Sequence, residues 1–219
     1  WVDIGFDRSP SELLWVDSKD WGALDGKLLN LSYGHGRLEI VPHEFVNGQP
    51  QGGLSRLPIP DFPTGTMRGR FHPDNGHLYL CGMSAWATAQ LHQAGGFYRV
   101  RKTDEPAHLP IGLRVSEGEI EIEFSDPLET MSPQLLRDSI IVRTWALKRT
   151  ANYGSAHYDK KQIEVAGASL STQGRILRLR IPDLEPVWQM SIKYYLKGAN
   201  GQPVEGEVQT SIHEIGRNR

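Results

Sequence analysis

The chain has 219 residues, enough for one large or two small domains, and its 23 glycines and 14 prolines favour turn-dense β structure over helical bundles. Its 24 basic and 26 acidic residues leave a formal charge of −2, without the basic footprint that nucleic acid or an anionic membrane asks for. No apolar run approaches the roughly eighteen residues of a membrane span, and Trp1-Val2-Asp3-Ile4 lacks the charged and apolar regions of a signal peptide. A chain that begins without Met is expected to be a processed protein or a piece of a longer one.

Two similar passages open the chain, 11–58 and 63–101, each with turns between short apolar runs. The second is the more informative. Arg68 and Phe71 lead into the polar break His72-Pro73-Asp74-Asn75-Gly76, a strand follows at Leu78-Tyr79-Leu80, and a Gly-rich loop returns to a strand at Phe97-Tyr98-Arg99-Val100. Short antiparallel strands punctuated this often are how a β-propeller builds its blades around an axial channel. Two blades fall short of the about four to eight that close such a ring. The passages are therefore expected to be the last two blades of a partial β-propeller, completed by blades upstream.

A boundary is expected at Thr103-Asp104-Glu105-Pro106-Ala107, dividing the chain into 1–107 and 108–219. Beyond it the alternation is cleaner. Glu119-Ile120-Glu121-Ile122-Glu123-Phe124 sends three apolar side chains one way and three carboxylates the other. The stretches Leu177 to Ile181 and Met190 to Leu196 repeat the pattern, and Gly198-Ala199-Asn200-Gly201 supplies a hairpin-type turn. One short helix is expected at Ser132-Pro133-Gln134-Leu135-Leu136-Arg137, with Ser132 as cap and Pro133 in the first turn. Strands of this length suit an immunoglobulin-like β-sandwich, so the fold class expected is all-β.

Candidate chemistry is sparse. Cys81 has no partner in the chain, which excludes an internal disulfide and a cysteine zinc site, and its place in an apolar strand reads as a buried core position. His35, His43, His72 and His77 lack ligand spacing, and His72 and His77 bracket a turn that faces solvent. His35 differs, because Tyr33-Gly34-His35-Gly36 joins two strands where a propeller loop faces its channel. Trp86, with Met83 and Tyr98, offers a flat face to a sugar ring or planar cofactor, core packing being the competing reading. Trp15, Trp21, Trp145 and Trp188 read as packing residues, with Trp188 the one expected to reach solvent. Asp74-Asn75-Gly76 lacks the later carboxylates of a calcium loop. Glu119, Glu121 and Glu123 read as a solvated row rather than a hydrolytic pair, and there is no Gly-x-Ser-x-Gly elbow or phosphate-cradling loop.

Several blocks in order resemble one family: Leu28-Leu29-Asn30-Leu31-Ser32-Tyr33-Gly34-His35-Gly36, Val46-Asn47-Gly48-Gln49-Pro50-Gln51-Gly52-Gly53, the 62–101 passage, and Trp145-Ala146-Leu147-Lys148-Arg149-Thr150-Ala151-Asn152-Tyr153-Gly154-Ser155, closing at Ile212-His213. The chain is similar to the C-terminal part of large bacterial proteins of the quinoprotein glucose and sorbosone dehydrogenase type. The resemblance implies a propeller holding pyrroloquinoline quinone near its axis, oxidation of a sugar or alcohol, a secreted or periplasmic protein, and frequent association with a cytochrome c domain. It implies that the hydride-accepting base and calcium ligands lie mostly upstream, so this region by itself is expected to be inactive. It also places an arginine at Arg68, ahead of the blade's turn, where a guanidinium pairs with a cofactor carboxylate; bracing of backbone carbonyls by Arg68 or Arg70 is the competing structural reading.

The expected cofactor-contacting set is therefore Arg68, His35 and Trp86, with no metal ligand. The alternative function is a non-catalytic carbohydrate-binding or adhesion module, and a third is a structural tail. The orientation of Trp86 and Tyr98 separates the first two: inward beside Arg68 for a channel, or outward in a flat row for a glycan platform.

Overall fold

A computed structural model describes residues 2–85 and 88–217. Among these residues the chain is all-β, with 50% strand, 6% helix and several antiparallel sheets, none of them closed. In chain order the strands are β1 (Pro10–Trp15), β2 (Leu28–Ser32), β3 (Arg37–Ile40), β4 (His43–Val46), β5 (Gln49–Arg56), β6 (Gly65–Phe71), β7 (Leu78–Met83) and β8 (Gly95–Val100). There follow β9 (Pro110–Ser116), β10 (Glu119–Phe124), β11 (Ile140–Ala146), β12 (Tyr158–Ile163), β13 (Gly167–Leu170), β14 (Ile176–Arg180), β15 (Val187–Lys197) and β16 (Pro203–Ile212). A 3-10 helix (Lys19–Leu24) and one α-helix, α1 (Pro133–Asp138), complete the set. No helix is long and apolar enough to cross a membrane.

The chain separates into two compact units. One comprises Ile4–Val41 and Arg56–Ala107, the other Trp1–Asp3, Pro42–Ser55 and His108–Arg219. Of the 11–58 passage, β1 to β3 belong to the first of these and β4 with nearly all of β5 to the second.

The C-terminal unit is sandwich-like. One sheet runs β13-β14-β10-β9, and a second contains β4-β5-β16-β15-β11-β12. Strict alternation sets which residues meet: Ile120, Ile122 and Phe124 on β10 are fully buried, opposite Leu179 and Leu177 of β14 and Val115 and Leu113 of β9. Val142, Met190, Ile192, Tyr194 and Val208 belong to the same cluster. Burying each such side chain contributes about 1.5–3 kcal/mol. The other face of β10 carries its carboxylates across from arginines, Glu119 opposite Arg180 and Glu121 opposite Arg178, the latter bonded at 2.7 Å. At α1 the Ser132 hydroxyl accepts from the Leu135 N–H at 3.3 Å and Pro133 follows the cap, while Leu136 is buried.

The N-terminal unit holds two consecutive meanders, β1-β2-β3 and β6-β7-β8. Leu29, Leu31, Leu38 and Ile40 fill one face of the first, and Leu78 and Leu80 the inner face of the second. Gly69 lies where β1 and β7 both approach β6, since a Cβ there would stand 2.6 Å from Leu80 and 3.2 Å from Leu14. The turn between β6 and β7 is closed by the His72 N–H donating to the His77 carbonyl at 2.9 Å. Gly76 in this turn has φ +63, and its carbonyl accepts from the Trp21 indole at 3.0 Å. Trp21 is buried and meets Phe71 edge-on at 5.2 Å, so the 3-10 helix is pinned beneath the turn.

Two side chains depart from their expected environments. Cys81 is exposed rather than buried, because Leu78 and Leu80 take the inner face of β7 and alternation turns Cys81 outward. Trp15 does not pack inside: it ends β1 and is 55% exposed. Trp188 reaches solvent as expected, while Trp21 and Trp145 are buried.

Candidate functional site

Two regions of the N-terminal unit hold its chemistry. The first is a polar node on the face of β2 and β3 opposite their apolar side chains. Asn30 donates one amide hydrogen to Asp7 Oδ2 at 2.9 Å and another to Glu39 Oε2 at 2.6 Å, while the Ser32 hydroxyl donates to the other Asp7 oxygen. All four residues are buried, Glu39 fully. Burial, and then the neighbouring Asp7 carboxylate, push the Glu39 carboxyl up to about 8, against the opposing effects of Asn30, Arg37 and Arg56. At neutral pH Glu39 is therefore a neutral acid beside an aspartate.

His35 stands at the rim of this node, in the turn between β2 and β3. Its backbone N–H donates to Ser32 Oγ at 3.1 Å. The turn is tightly enclosed: a Cβ on Gly34 would collide with the Arg8 carbonyl, and one on Gly36 with that of Thr64. Burial and then Arg37 hold the His35 imidazole below its ordinary value, so at neutral pH it is uncharged. Five buried polar atoms here have no hydrogen-bond partner: His35 Nε2, Glu39 Oε1, Arg8 Nε, and Arg37 Nε and Nη1. The remaining Arg37 nitrogen binds Asp61 at 3.1 Å. A carboxyl pushed up by burial beside a second carboxyl, a neutral imidazole and unused guanidinium hydrogens form an acid-base constellation of the kind that concentrates at functional sites. Asp7, Asn30 and Glu39 were not singled out in the sequence, where alternate polar residues in a strand ordinarily mark the face toward water.

The second region is the outer face of β6, β7 and β8. Register places Arg68, Cys81 and Phe97 in one cross-strand row and Arg70, Tyr79 and Arg99 in the next. Tyr79 and Phe97 stack at 5.7 Å with planes 22° apart, and His72 lies 5.8 Å from Tyr79 on the other side. Phe97 is 73% exposed. Arg70 is paired with Glu12 at 2.6 Å.

The three residues expected from sequence do not come together. Arg68 is exposed on the outer face, and its Nη1 donates to the carbonyls of Ser11 at 2.8 Å and Met67 at 2.7 Å, a bracing of backbone. His35 belongs to the enclosed turn beside the node. Trp86 lies outside the described residues. Tyr98 faces inward, its hydroxyl 3.0 Å from Thr64 Oγ1 and its ring 4.9 Å from Phe62, on the side of the sheet opposite Arg68.

In the C-terminal unit, His157 Nε2 bonds Asp3 Oδ2 at 2.8 Å and its ring stacks on Trp145 at 4.5 Å, while Gln209 and Asp3 exchange two hydrogen bonds. A pocket of about 80 Å³ lies among Thr144, Lys161, Asp183, Glu185 and Met190, where the Thr144 hydroxyl is buried without a partner. Among the described residues no three His, Cys, Asp or Glu side chains group as metal ligands. Comparison of the chain with protein-family models, curated proteins and solved structures finds no match.

Proposed function

We propose that this chain is the C-terminal region of a secreted or periplasmic protein similar to the quinoprotein sugar and alcohol dehydrogenases, serving to brace and bind rather than to turn over substrate by itself. The observation that carries this reading is the pair of consecutive antiparallel meanders, β1-β2-β3 and β6-β7-β8, each open, followed by a sandwich-like unit. In this reading the meanders are terminal propeller blades, the sandwich is immunoglobulin-like, and upstream blades supply the base and the calcium ligands. Of the residues expected at a quinone, His35 has the more suitable surroundings. Its Nε2 is buried and unpartnered beside Arg37 and Arg8, whose unused N–H groups suit a carboxylated ligand. Calorimetric titration of the chain with pyrroloquinoline quinone plus calcium tests this. Quinone binding lost in His35→Ala and retained in Arg68→Ala supports it, and silence removes any cofactor role from these residues.

A second reading is favoured by a specific observation. The exposed Phe97 ring stacks on the half-buried Tyr79, and the exposed His72 ring of the β6–β7 turn meets Tyr79 at a tilt of 58°, an aromatic cluster of the kind on which sugar rings lie. In this reading the chain is a non-catalytic carbohydrate-binding module, and a panel of oligosaccharides in the same calorimeter tests it.

A further inference from the structure

We propose that the outer face of β6, β7 and β8 binds an anionic polysaccharide, its sugar rings lying on His72, Tyr79 and Phe97 and its carboxylates held by Arg68 and Arg99. This rests on the carbohydrate-binding reading and goes beyond it by naming the charge of the ligand.

Charge complementarity selects the occupant. Three guanidinia stand in adjacent cross-strand rows: Arg68 opposite Cys81, and Arg70 and Arg99 flanking Tyr79. Glu12 neutralises Arg70 and also accepts the Gly69 N–H at 2.7 Å, which fixes it at the β6 edge. Arg68 uses one nitrogen on two carbonyls and, among the described residues, meets no carboxylate. Arg99 is exposed on β8 and, among the described residues, has no hydrogen bond or ion pair. The face thus presents two unneutralised guanidinia, each able to grip a carboxylate through paired N–H donors.

The rings supply the rest. Centroids spaced 5.8 and 5.7 Å apart run from His72 through Tyr79 to Phe97. The Asn75 amide fixes the Tyr79 hydroxyl at 3.2 Å, so the central ring is oriented before any ligand arrives. Preorganised aromatic area costs little entropy on binding. A uronate oligomer needs both parts: flat C–H faces over the rings, and carboxylates projecting from the sugar edges toward arginines on either side. Single-stranded nucleic acid fits less well, because such sites draw their affinity from several neutralised phosphates, and the chain has a net charge of −2.

Cys81, between Arg68 and Phe97, is the sole cysteine of the chain and is exposed, so its alkylation by a thiol-reactive dye reports occupancy of the face. The experiment measures Cys81 labelling rate and calorimetric affinity with tetragalacturonate, cellotetraose and a short oligothymidylate, on the native chain and on Arg99→Gln, Arg68→Gln and Phe97→Ala. Thermal melts confirm that each variant folds. The expected result is protection by tetragalacturonate alone, weakened about tenfold by Arg99→Gln and by added salt, and abolished by Phe97→Ala. Equal binding of cellotetraose, indifferent to both arginine variants and lost in Phe97→Ala, overturns the anionic assignment while leaving the carbohydrate reading standing. No protection by either sugar overturns both. Protection by oligothymidylate alone overturns them in favour of nucleic acid.

Discussion

Gln51 and Asn30 are both buried side-chain amides in β structure, and their surroundings differ in kind. Gln51 donates to Glu44 Oε1 at 2.8 Å and to the Glu214 carbonyl at 3.0 Å, and its oxygen accepts from the His213 and Glu214 N–H groups, both at 2.9 Å. Every capacity of that amide is used, and Glu44 accepts a further bond from the Val115 N–H. Asn30 also spends both hydrogens, but on two carboxyls, amid guanidinium and imidazole atoms that have no partner. A saturated node is a strut: it holds segments that are distant in sequence and has nothing left to offer. An undersatisfied, charged one holds its place at a cost and keeps capacity in reserve, which is the physical mark of a site rather than a strut.

The largest expected effect is on pH dependence. Glu39 has its folded value raised to about 8 from an unfolded 4.5, so its contribution is fully favourable below pH 4.5 and is lost as pH rises toward 8. At about 1.4 kcal/mol per unit the loss approaches about 5 kcal/mol across that window. Glu39→Gln, which keeps an acceptor for Asn30, is expected to flatten this part of the stability curve in urea denaturation between pH 5 and 8. An unchanged slope in the variant would mean that the node is not the source. Gln51→Leu comes next: it takes from the Glu44 carboxyl one of its two donors and leaves one carbonyl and two N–H groups without their partner, and a loss of about 3–5 kcal/mol is expected at neutral pH. The comparison sharpens if the first variant flattens the slope, while the second, which loses a bond that favours the Glu44 carboxylate, loses more stability above the titration of Glu44 than below it.

Smaller effects separate the two faces of β8. Tyr98→Phe removes the partner of the buried Thr64 hydroxyl and is expected to cost about 1–2 kcal/mol, measured by thermal unfolding. Phe97→Ser, one residue away on the outer face, is expected to change stability by no more than about 0.5 kcal/mol. A large loss at Phe97 would show that its ring is packed in solution and not free to bind.

Much of the framework was legible because its signals are local. The alternation of Glu119 to Phe124 specified β10 and its two faces, Ser132-Pro133 marked the start of α1, and the run from His72 to Gly76 announced the turn beneath which Trp21 is pinned. What escaped notice is non-local. β5 pairs with β16, Leu54 opposite Gln209, and nothing in either strand names a partner so far along the chain. The polar node escaped for a related reason. Asn30 and Glu39 alternate with leucine and isoleucine just as water-facing residues do, and only the return of Asp7 over them makes that face an interior. At Cys81 an apolar neighbourhood in sequence does not mean burial, since the alternation that buries Leu80 turns its neighbour outward.

Strand β8 keeps its commitments on one side only. Tyr98 is tied to Thr64 and Phe62, whereas Phe97 is exposed with its ring on Tyr79 and Arg99 is exposed. Such a strand separates inheritance from invention: substitutions at the exposed odd positions 97 and 99 are expected to change the outer surface at little risk to folding, while Tyr98 holds the sheet in place. Related chains that share Tyr98 and differ at Phe97 and Arg99 would be the trace of a recognition surface retuned on an unchanged scaffold.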